Sequence, residues 1–320
     1  KLKENLNENS NKNVDSRYNK IHNIIQNPRI LLLGFLDRLS KFIQNDKLYL
    51  RIRYRIVMGR CLNLEQPSTF CEKIQWLKIY ARNFEYTKYV DKIVVKDIVG
   101  DIIGREYIIP TLGVWKRFDD IDFDKLPNQF VLKTNHSGGS CGVYICRDKN
   151  SLNINDAKTA MNLSLKKKLF PLLREYPYKN IVPKIFAEKY MKNGRDAELQ
   201  DYKFYCFNGR PGYCQVIANR QTKETIDFYD MNWEHQPFCG LNPECENSGT
   251  VDKKPAKFDE MISIATKLSK NIPFVRIDLY YINDKVYFGE MTFFPSSGFG
   301  KFTPEKWDEK LGKKIVLPKV

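Results

Sequence analysis

FVRIDLYYINDKVYFGEMTFFPSSGFGKF, residues 274–302, holds two runs rich in Val, Ile, Tyr and Phe around a polar Asn283-Asp284-Lys285. That pattern is a hairpin. A turn centred on Asp284 opposes Asp278 to Glu290, Arg276 to Thr292 and Tyr280 to Phe288. Side chains alternate across a strand, so Arg276, Asp278, Glu290 and Thr292 share one face, and Val275, Ile277 and Leu279 face a core. Two carboxylates placed opposite each other repel. A divalent cation between them removes the conflict, and hard oxygen ligands suit magnesium. The plainer reading is a solvated face on which Arg276 and Lys285 act as ordinary counter-charges.

Upstream, Gln129-Phe130-Val131-Leu132-Lys133 is a short apolar strand ending in a lysine. It leads through Thr134-Asn135-His136-Ser137-Gly138-Gly139-Ser140-Cys141-Gly142 into a second strand, Val143-Tyr144-Ile145-Cys146. No GxxxxGK[ST] or GxGxxG opening a helix is present, which excludes a P-loop and a dinucleotide fingerprint. Glycines let backbone N–H groups approach phosphate oxygens. The loop is therefore read as a mobile flap over phosphates, with Lys133 as a point charge, or else as a flexible hairpin turn.

A chain of 320 residues has room for about two domains or one two-lobed domain. A hydrophobic content of 42%, with 13% aromatic, supports a sizeable core. The longest apolar run, Ile30 to Leu36, is too short for a bilayer, which needs about 20 residues. No secretory leader is visible, although the first residue is Lys1 rather than Met. The eight cysteines form no CxxC pair and no zinc spacing with the three histidines. They read as reduced cytosolic thiols, with Cys206 and Cys214 as core residues. Net charge is +15, and residues 1–60 hold 13 Lys/Arg against 5 Asp/Glu, a net +8. Such a balance favours polyanions: nucleic acid, an anionic membrane surface or an acidic polymer. No nucleic-acid module is present, and most aromatics fall in strand cores, so nucleic acid is not an expected partner.

Residues 1–20 are Asn- and Lys-rich and expected to be disordered. Helical spacing runs from Ile21 to Gly59, with Leu32, Leu33, Leu36, Leu39 and Phe42 as one stripe. Arg51, Arg53, Arg55 and Arg60 interleave with Tyr49 and Tyr54. This arm either touches a membrane or nucleic acid, or packs with a charged outer face. Ser68 or Thr69 caps a helix over 70–77, and a second helix spans Lys88 to Val99 with Asp91, Lys92 and Lys96. Tyr107–Pro110 and Gly113–Trp115 are short strands, and Phe118 to Leu126 is an acidic loop. Residues 153–175 read as a helix with Lys166-Lys167-Lys168 on a solvated face. Pro183 to Met191 is a strand, and Asp201 to Phe207 a half-buried one. Asn208-Gly209 makes a type I′ turn to Tyr213–Ile217. Residues 227–245 are loop-rich, 258–268 helical, and 295–301 a second flexible loop ending in Lys301.

Six segments in this order resemble the TupA-like family of the ATP-grasp superfamily. They are PSTFCEKIQWLK (67–78), VDKIVVKDIVG (90–100), FVLKTNHSGGSCG (130–142), AEKYM (187–191), DYKFYCFNGRP (201–211) and the hairpin. The resemblance implies an α+β ATP-grasp fold, two lobes clasping a nucleotide, behind a basic N-terminal helical arm (1–60). The catalytic domain would span 61–320: a helical pre-module (61–105), a flap lobe (106–187) and a metal-hairpin lobe (188–320). Carried over by position, Lys92, Lys133 and Lys203 hold phosphates under Ser137, Gly138 and Gly139. Glu188, Lys189 and Met191 form the adenine hinge, and Asp196 takes the ribose. Asp278 and Glu290 bind Mg2+, with Thr292 where many ATP-grasp enzymes have Asn, which puts a second metal in question. Arg276 or Lys301 serves the acyl side.

The implied chemistry is ATP activation of a carboxylate, followed by amine attack. The family context implies joining an amino acid or other amine to a uronic acid or acidic saccharide of cell-surface polysaccharide. A phosphotransferase acting on a saccharide hydroxyl, and a basic adaptor with a nucleotide-binding fold, are the alternatives.

Overall fold

The computed structural model describes residues 28–138, 142–194, 199–218, 224–242 and 245–319. The expectation for residues 1–20 lies outside them. The chain divides into two compact units, residues 1–62 and 63–320.

Among its described residues the first unit contains two helices, α1 (Pro28–Leu39) and α2 (Asp46–Met58), where one continuous run is expected. The break has a local cause. Asn45 accepts the Leu48 N–H at 3.0 Å and starts α2 afresh, and Gly59, at φ 76°, ends it. Arg53 ties the helices together through the Asp37 carboxylate, and also bonds the Tyr49 hydroxyl at 3.0 Å. Of the expected stripe only Leu36 is buried; Leu32 is 53% and Phe42 79% exposed.

In the second unit, Thr69 and Glu72 form a capping box that opens α3 (Phe70–Tyr80). The helix expected over 88–99 is split into α4 (Tyr86–Val90) and α5 (Val94–Ile103). Asp91 causes the split: its Oδ1 accepts the Ile93 and Val94 N–H groups at 2.9 and 3.3 Å. Residues 153–175 likewise divide into α6 (Ile154–Lys166) and α7 (Phe170–Leu173), with Pro171 unable to continue a preceding ladder. Helices α8 (Phe258–Ser269) and α9 (Lys306–Lys314) follow.

The strands are β1 (Thr111–Trp115), β2 (Phe130–Thr134), β3 (Val143–Cys146), β4 (Ile185–Lys189), β5 (Asp201–Phe207), β6 (Arg210–Ala218), β7 (Thr225–Tyr229), β8 (His235–Gln236), β9 (Cys239–Gly240), β10 (Phe274–Ile282), β11 (Lys285–Thr292) and β12 (Phe302–Thr303). They build a four-stranded sheet, β1-β4-β2-β3, a six-stranded sheet, β11-β10-β5-β6-β7-β8, and the pair β12-β9. Residues 107–110 are not strand, since Arg105–Tyr107 coils into a 3-10 turn. Residues 227–245 are more ordered than expected because β7 finds a partner in β6 and β8 in β7.

The leading hairpin turns on two residues, Asn283 and Asp284, at φ 49° and 58°, so Lys285 is strand rather than turn. A bulge next to Gly289 absorbs the offset. Tyr280 therefore pairs with Tyr287 and not Phe288, while Asp278 faces Glu290 and Arg276 faces Thr292 as expected. A Cβ on Gly289 would lie 3.0 Å from the Asp278 carbonyl, a close approach that favours glycine in the bulge. Asn208 and Gly209, both at positive φ, close β5 onto β6 as the sequence indicates.

Each sheet keeps an apolar face against a helix. Phe130, Leu132, Ile185 and Ala187 pack with Ala157 and Met161 of α6. On the larger sheet Val275, Ile277 and Leu279 are fully buried, and α8 packs on β5, β6 and β10, with Phe258 stacked on Phe204 at 5.6 Å. All seven residues of β5 are buried, not half of them. Its polar face, Asp201 and Lys203, lies inside a charged cluster rather than in solvent.

Candidate active site

The polar face of the larger sheet gathers Lys203 of β5, Arg276 and Asp278 of β10, and Glu290 and Thr292 of β11. The pairing in register makes this unavoidable: Asp278 lies between Lys203 on one neighbouring strand and Glu290 on the other. The Arg276 fork grips Asp278 with two bonds of 2.6 Å, and its Nη2 also reaches Glu290 Oε1 (3.2 Å) and Thr292 Oγ1 (3.1 Å). Lys203 bonds the other side of Asp278 and stands 3.8 Å from Asp201. Arg276 therefore already answers the repulsion between the two carboxylates, with no metal needed for that purpose. Burial pushes the Glu290 carboxyl up, but Lys92, Arg276 and Lys203 outweigh it and hold it well below the usual carboxylate range. Burial works against the Arg276 charge, yet Asp278 more than restores it. Glu290 is the accessible carboxylate, 31% exposed against 3% for Asp278.

The smaller sheet repeats the motif. Glu188 of β4 is clasped by Lys133 of β2 and by Lys96 of α5, the latter at 2.5 Å. Burial raises the Glu188 carboxyl, and the two lysines together bring it below its ordinary value. The lysines are not equivalent. An ammonium has three donors. Lys96 uses its own on Glu188, the Ile109 carbonyl and Thr111 Oγ1, both of the last at 2.9 Å. Lys133 bonds Glu188 and is 24% exposed, leaving donors for another acceptor.

Lys92 links Glu290 to the base of the Gly-rich loop. Its backbone N–H bonds the Asn135 carbonyl (3.0 Å), and its Nζ bonds the Ser137 carbonyl (2.5 Å) and lies 3.5 Å from Glu290 Oε2. The base of the Gly-rich loop is thereby tethered above the hairpin.

The model of the family described as TupA-like ATPgrasp matches residues 72–316. This chain belongs to that family. Its fold is the α+β ATP-grasp fold, with antiparallel sheets backed by helices. No curated protein matches the chain. Similar solved structures include a D-alanine–D-alanine ligase from Bacillus anthracis (18% identity, 70% of this chain and 63% of that one, TM-score 0.41). Others are the Helicobacter pylori D-alanine–D-alanine ligase (14%, 79% and 68%, 0.42) and the biotin carboxylase domain of Hydrogenobacter thermophilus 2-oxoglutarate carboxylase (17%, 64% and 40%, 0.38). The chain spans less than two thirds of the Bacillus anthracis ligase. Likenesses this distant carry no argument about chemistry, which rests on the residues.

In this ATP-grasp chain Lys189 ends β4 exposed, its N–H on the Pro110 carbonyl (3.0 Å), and Met191 follows half-buried. Gly138 is exposed, and a Cβ there would make only an ordinary contact with Leu169 Cδ1 at 4.0 Å, whereas His136 and Ser137 are buried. The first part of the expected mobile flap is therefore packed. Gly139 and Asp196 lie outside the described residues. Lys301 is exposed, and its side chain makes no ion pair among the described residues; its carbonyl accepts the Leu241 N–H at 2.8 Å. The loop that carries it is not free at its start. Ser296, Ser297 and Gly298 all sit at left-handed φ (45°, 54° and 65°). Gln75 Nε2 donates to the Ser297 and Gly298 carbonyls, both at 2.9 Å. The buried Lys78 Nζ donates to the Ser297 carbonyl (2.7 Å) and Oγ (2.6 Å). Such a run of unfavourable φ persists only where its surroundings enforce it. Beside it, burial raises the Glu175 carboxyl against the opposing pull of Lys78 and Ser297.

Lys96, Lys78 and Glu175 are the residues that sequence reasoning left without a role. For Lys96 a signal existed, since it stands four residues beyond Lys92.

The donor set suits magnesium and a polyphosphate. Asp278, Glu290 and Thr292 present hard oxygens, and magnesium completes its octahedron with water and substrate phosphate rather than an all-protein cage. Lys92, Lys133 and Lys203 supply point charges around that position.

Proposed function

We propose that this protein is an ATP-dependent carboxylate–amine ligase forming an amide through an acyl phosphate. Its substrates are an amino acid or other amine and a uronic acid or other acidic saccharide of cell-surface polysaccharide, joined at the cytoplasmic face of the membrane. The observation that carries the reading is two buried carboxylates, each clasped by two cations, with no activated nucleophile among them. His235 does pair with Asp227 at 2.8 Å, but at the opposite end of the six-stranded sheet. The described cysteines form no disulfide with one another.

ATP supplies the phosphoryl group, and magnesium neutralises charge on the phosphates. Lys92, Lys133 and Lys203 bind phosphate oxygens, and Lys96 fixes Glu188 so that Lys133 is held in place. Asp278, Glu290 and Thr292 hold the metal. Arg276, positioned by Asp278, puts a permanent charge where negative charge develops on the reacting oxygens. The backbone N–H groups near Ser137 and Gly138 approach the phosphates. The hinge role of Glu188, Lys189 and Met191 and the ribose role of Asp196 belong to the same proposal. So do the acyl-side role of Lys301 and the division of an arm (1–60) from a catalytic domain (61–320). The surplus of positive charge suits an acidic acceptor.

The test is to incubate the protein with ATP, magnesium, a panel of uronic acids and hydroxylamine. A hydroxamate formed in step with ADP is the expected product, and adding the true amine replaces it with an amide. A stable sugar phosphate would replace this reading with a phosphotransferase.

A further inference from the structure

The polar face of the larger sheet changes character along its strands. Its first row, Tyr205, Arg276 and Thr292, and its second, Lys203, Asp278 and Glu290, each carry a cation. The third row, nearer the hairpin turn, is Asp201, Tyr280 and Tyr287, and carries none. Tyr280 and Tyr287 are directly opposed across β10 and β11, and both are half-buried. Among the described residues neither hydroxyl makes a hydrogen bond and neither ring pairs with another. The other tyrosines of this sheet behave differently: Tyr202 and Tyr229 pair with Trp233, Tyr205 with Phe228 and Tyr213 with Phe207. The Tyr280 ring lies 3.1 Å from the Cβ position of Gly289, so any side chain in the bulge would press on it, and glycine leaves it clear.

The segment that leaves β4 is fastened at the same end of the sheet. Asn283 N–H donates to Asn193 Oδ1 (3.3 Å), Asn283 Nδ2 donates to the Lys192 carbonyl (3.3 Å), and Gly194 N–H donates to Asn283 Oδ1 (3.4 Å). The aromatic row therefore lies between the charged rows and the point where residues 192–194 meet the hairpin turn. Its chemistry excludes phosphate. The negative charges of Asp201, Glu290, Asp278 and Glu188 all act on the Tyr280 hydroxyl, an arrangement that turns an anion away. Uncharged aromatic rings suit the flat face of a base, which stacks on them whatever its identity. Two residues of strand advance about 7 Å, so this row stands about 7 Å from the Asp278 row and about 13 Å from the Arg276 row.

We propose that Tyr280 and Tyr287 are the platform for the nucleobase, so that a nucleotide lies along the face with its base over the aromatic row and its phosphates over the charged rows. The inference rests on the nucleotide reading given above and assigns two residues to it. Calorimetric titration of the full chain with ADP, and separately with inorganic pyrophosphate, each with magnesium, tests it apart from any turnover. Pyrophosphate carries two phosphates without a base, and the parent protein binds it at least about tenfold more weakly than ADP. Tyr280→Leu weakens ADP about tenfold or more and Tyr287→Leu about fivefold or more, whereas Tyr280→Phe, which keeps the ring, stays within about threefold. All three variants bind pyrophosphate as the parent does, which shows that the fold and the charged rows are intact. Unchanged ADP binding in both leucine variants, or an equal loss of ADP and pyrophosphate, overturns the proposal. A parent that binds pyrophosphate as tightly as ADP has no base platform: the proposal then fails and phosphate binding stands. A parent that binds neither ligand overturns the nucleotide reading as well.

Discussion

The two charged clusters use the same formula, one buried carboxylate between two cations, and build it differently. Around Asp278 everything comes from three adjacent strands, and one partner is a guanidinium that fills both carboxylate oxygens. Around Glu188 both partners are ammoniums, and one of them, Lys96, arrives from a helix. The first is a rigid lattice set by register. The second is a joint between helix and sheet, with Lys133 only partly committed. The face proposed to hold the metal is thus shaped before any substrate arrives, and the face proposed to hold phosphate keeps an adjustable charge.

The largest expected effect comes from removing the charge at the centre of each cluster. Asp278→Asn strands Arg276 and Lys203 together and should destabilise the protein by about 3–5 kcal/mol while abolishing turnover. Glu188→Gln should be milder, about 1–3 kcal/mol, because Lys133 reaches solvent and Lys96 keeps two neutral acceptors. Chemical denaturation of both variants checks the order, and equal losses would erase the distinction. Exchanging the cations sharpens it. Arg276→Lys removes a fork that no ammonium reproduces and should reduce turnover about tenfold to a hundredfold. Lys133→Arg should stay within about tenfold of the parent. Steady-state assays that found the reverse would break the comparison.

The smallest effect lies in acid. Glu188 and Glu290 both titrate below an unfolded carboxyl, so their stabilisation is complete above the unfolded value of about 4.3. It is lost as pH falls through the lower folded values. The melting temperature should be flat on this account from neutrality down to about pH 5 and fall below it. Glu188→Gln should fall less steeply over the same range.

Local chemistry made much of this legible in the sequence. The Thr69 cap, the Asn208-Gly209 turn and the opposition of Asp278 to Glu290 each follow from a few neighbouring residues. The Gly289 bulge was hidden because two errors cancel: a two-residue turn shifts the register and the bulge shifts it back, leaving only Tyr280 misplaced. The breaks at Asp91 and Asn45 were hidden too, since a polar side chain inside a helical pattern reads as surface until its acceptor is seen capping the next turn. Lys96 showed only its spacing from Lys92; its partner Glu188 lies 92 residues away on β4, and no periodicity encodes that distance. Residues 295–298 read as loose because Gly and Ser carry no packing of their own; their rigidity is supplied by Gln75 and Lys78.

That last arrangement bears on the order in which the protein can be made. Several polar partners of α3 lie more than two hundred residues downstream: Ser297 and Gly298 for Lys78 and Gln75. Asp308 Oδ1 accepts the Cys71 N–H (2.9 Å), and the Ile315 carbonyl accepts Lys73 Nζ (2.7 Å). On the ribosome, α3 emerges more than two hundred residues before these partners and waits for them before these contacts can close. Contacts of such sequence separation are slow to close. The distant partners of α3 leave its N-terminal half open to chaperones, or to other nascent chains, until α9 is delivered.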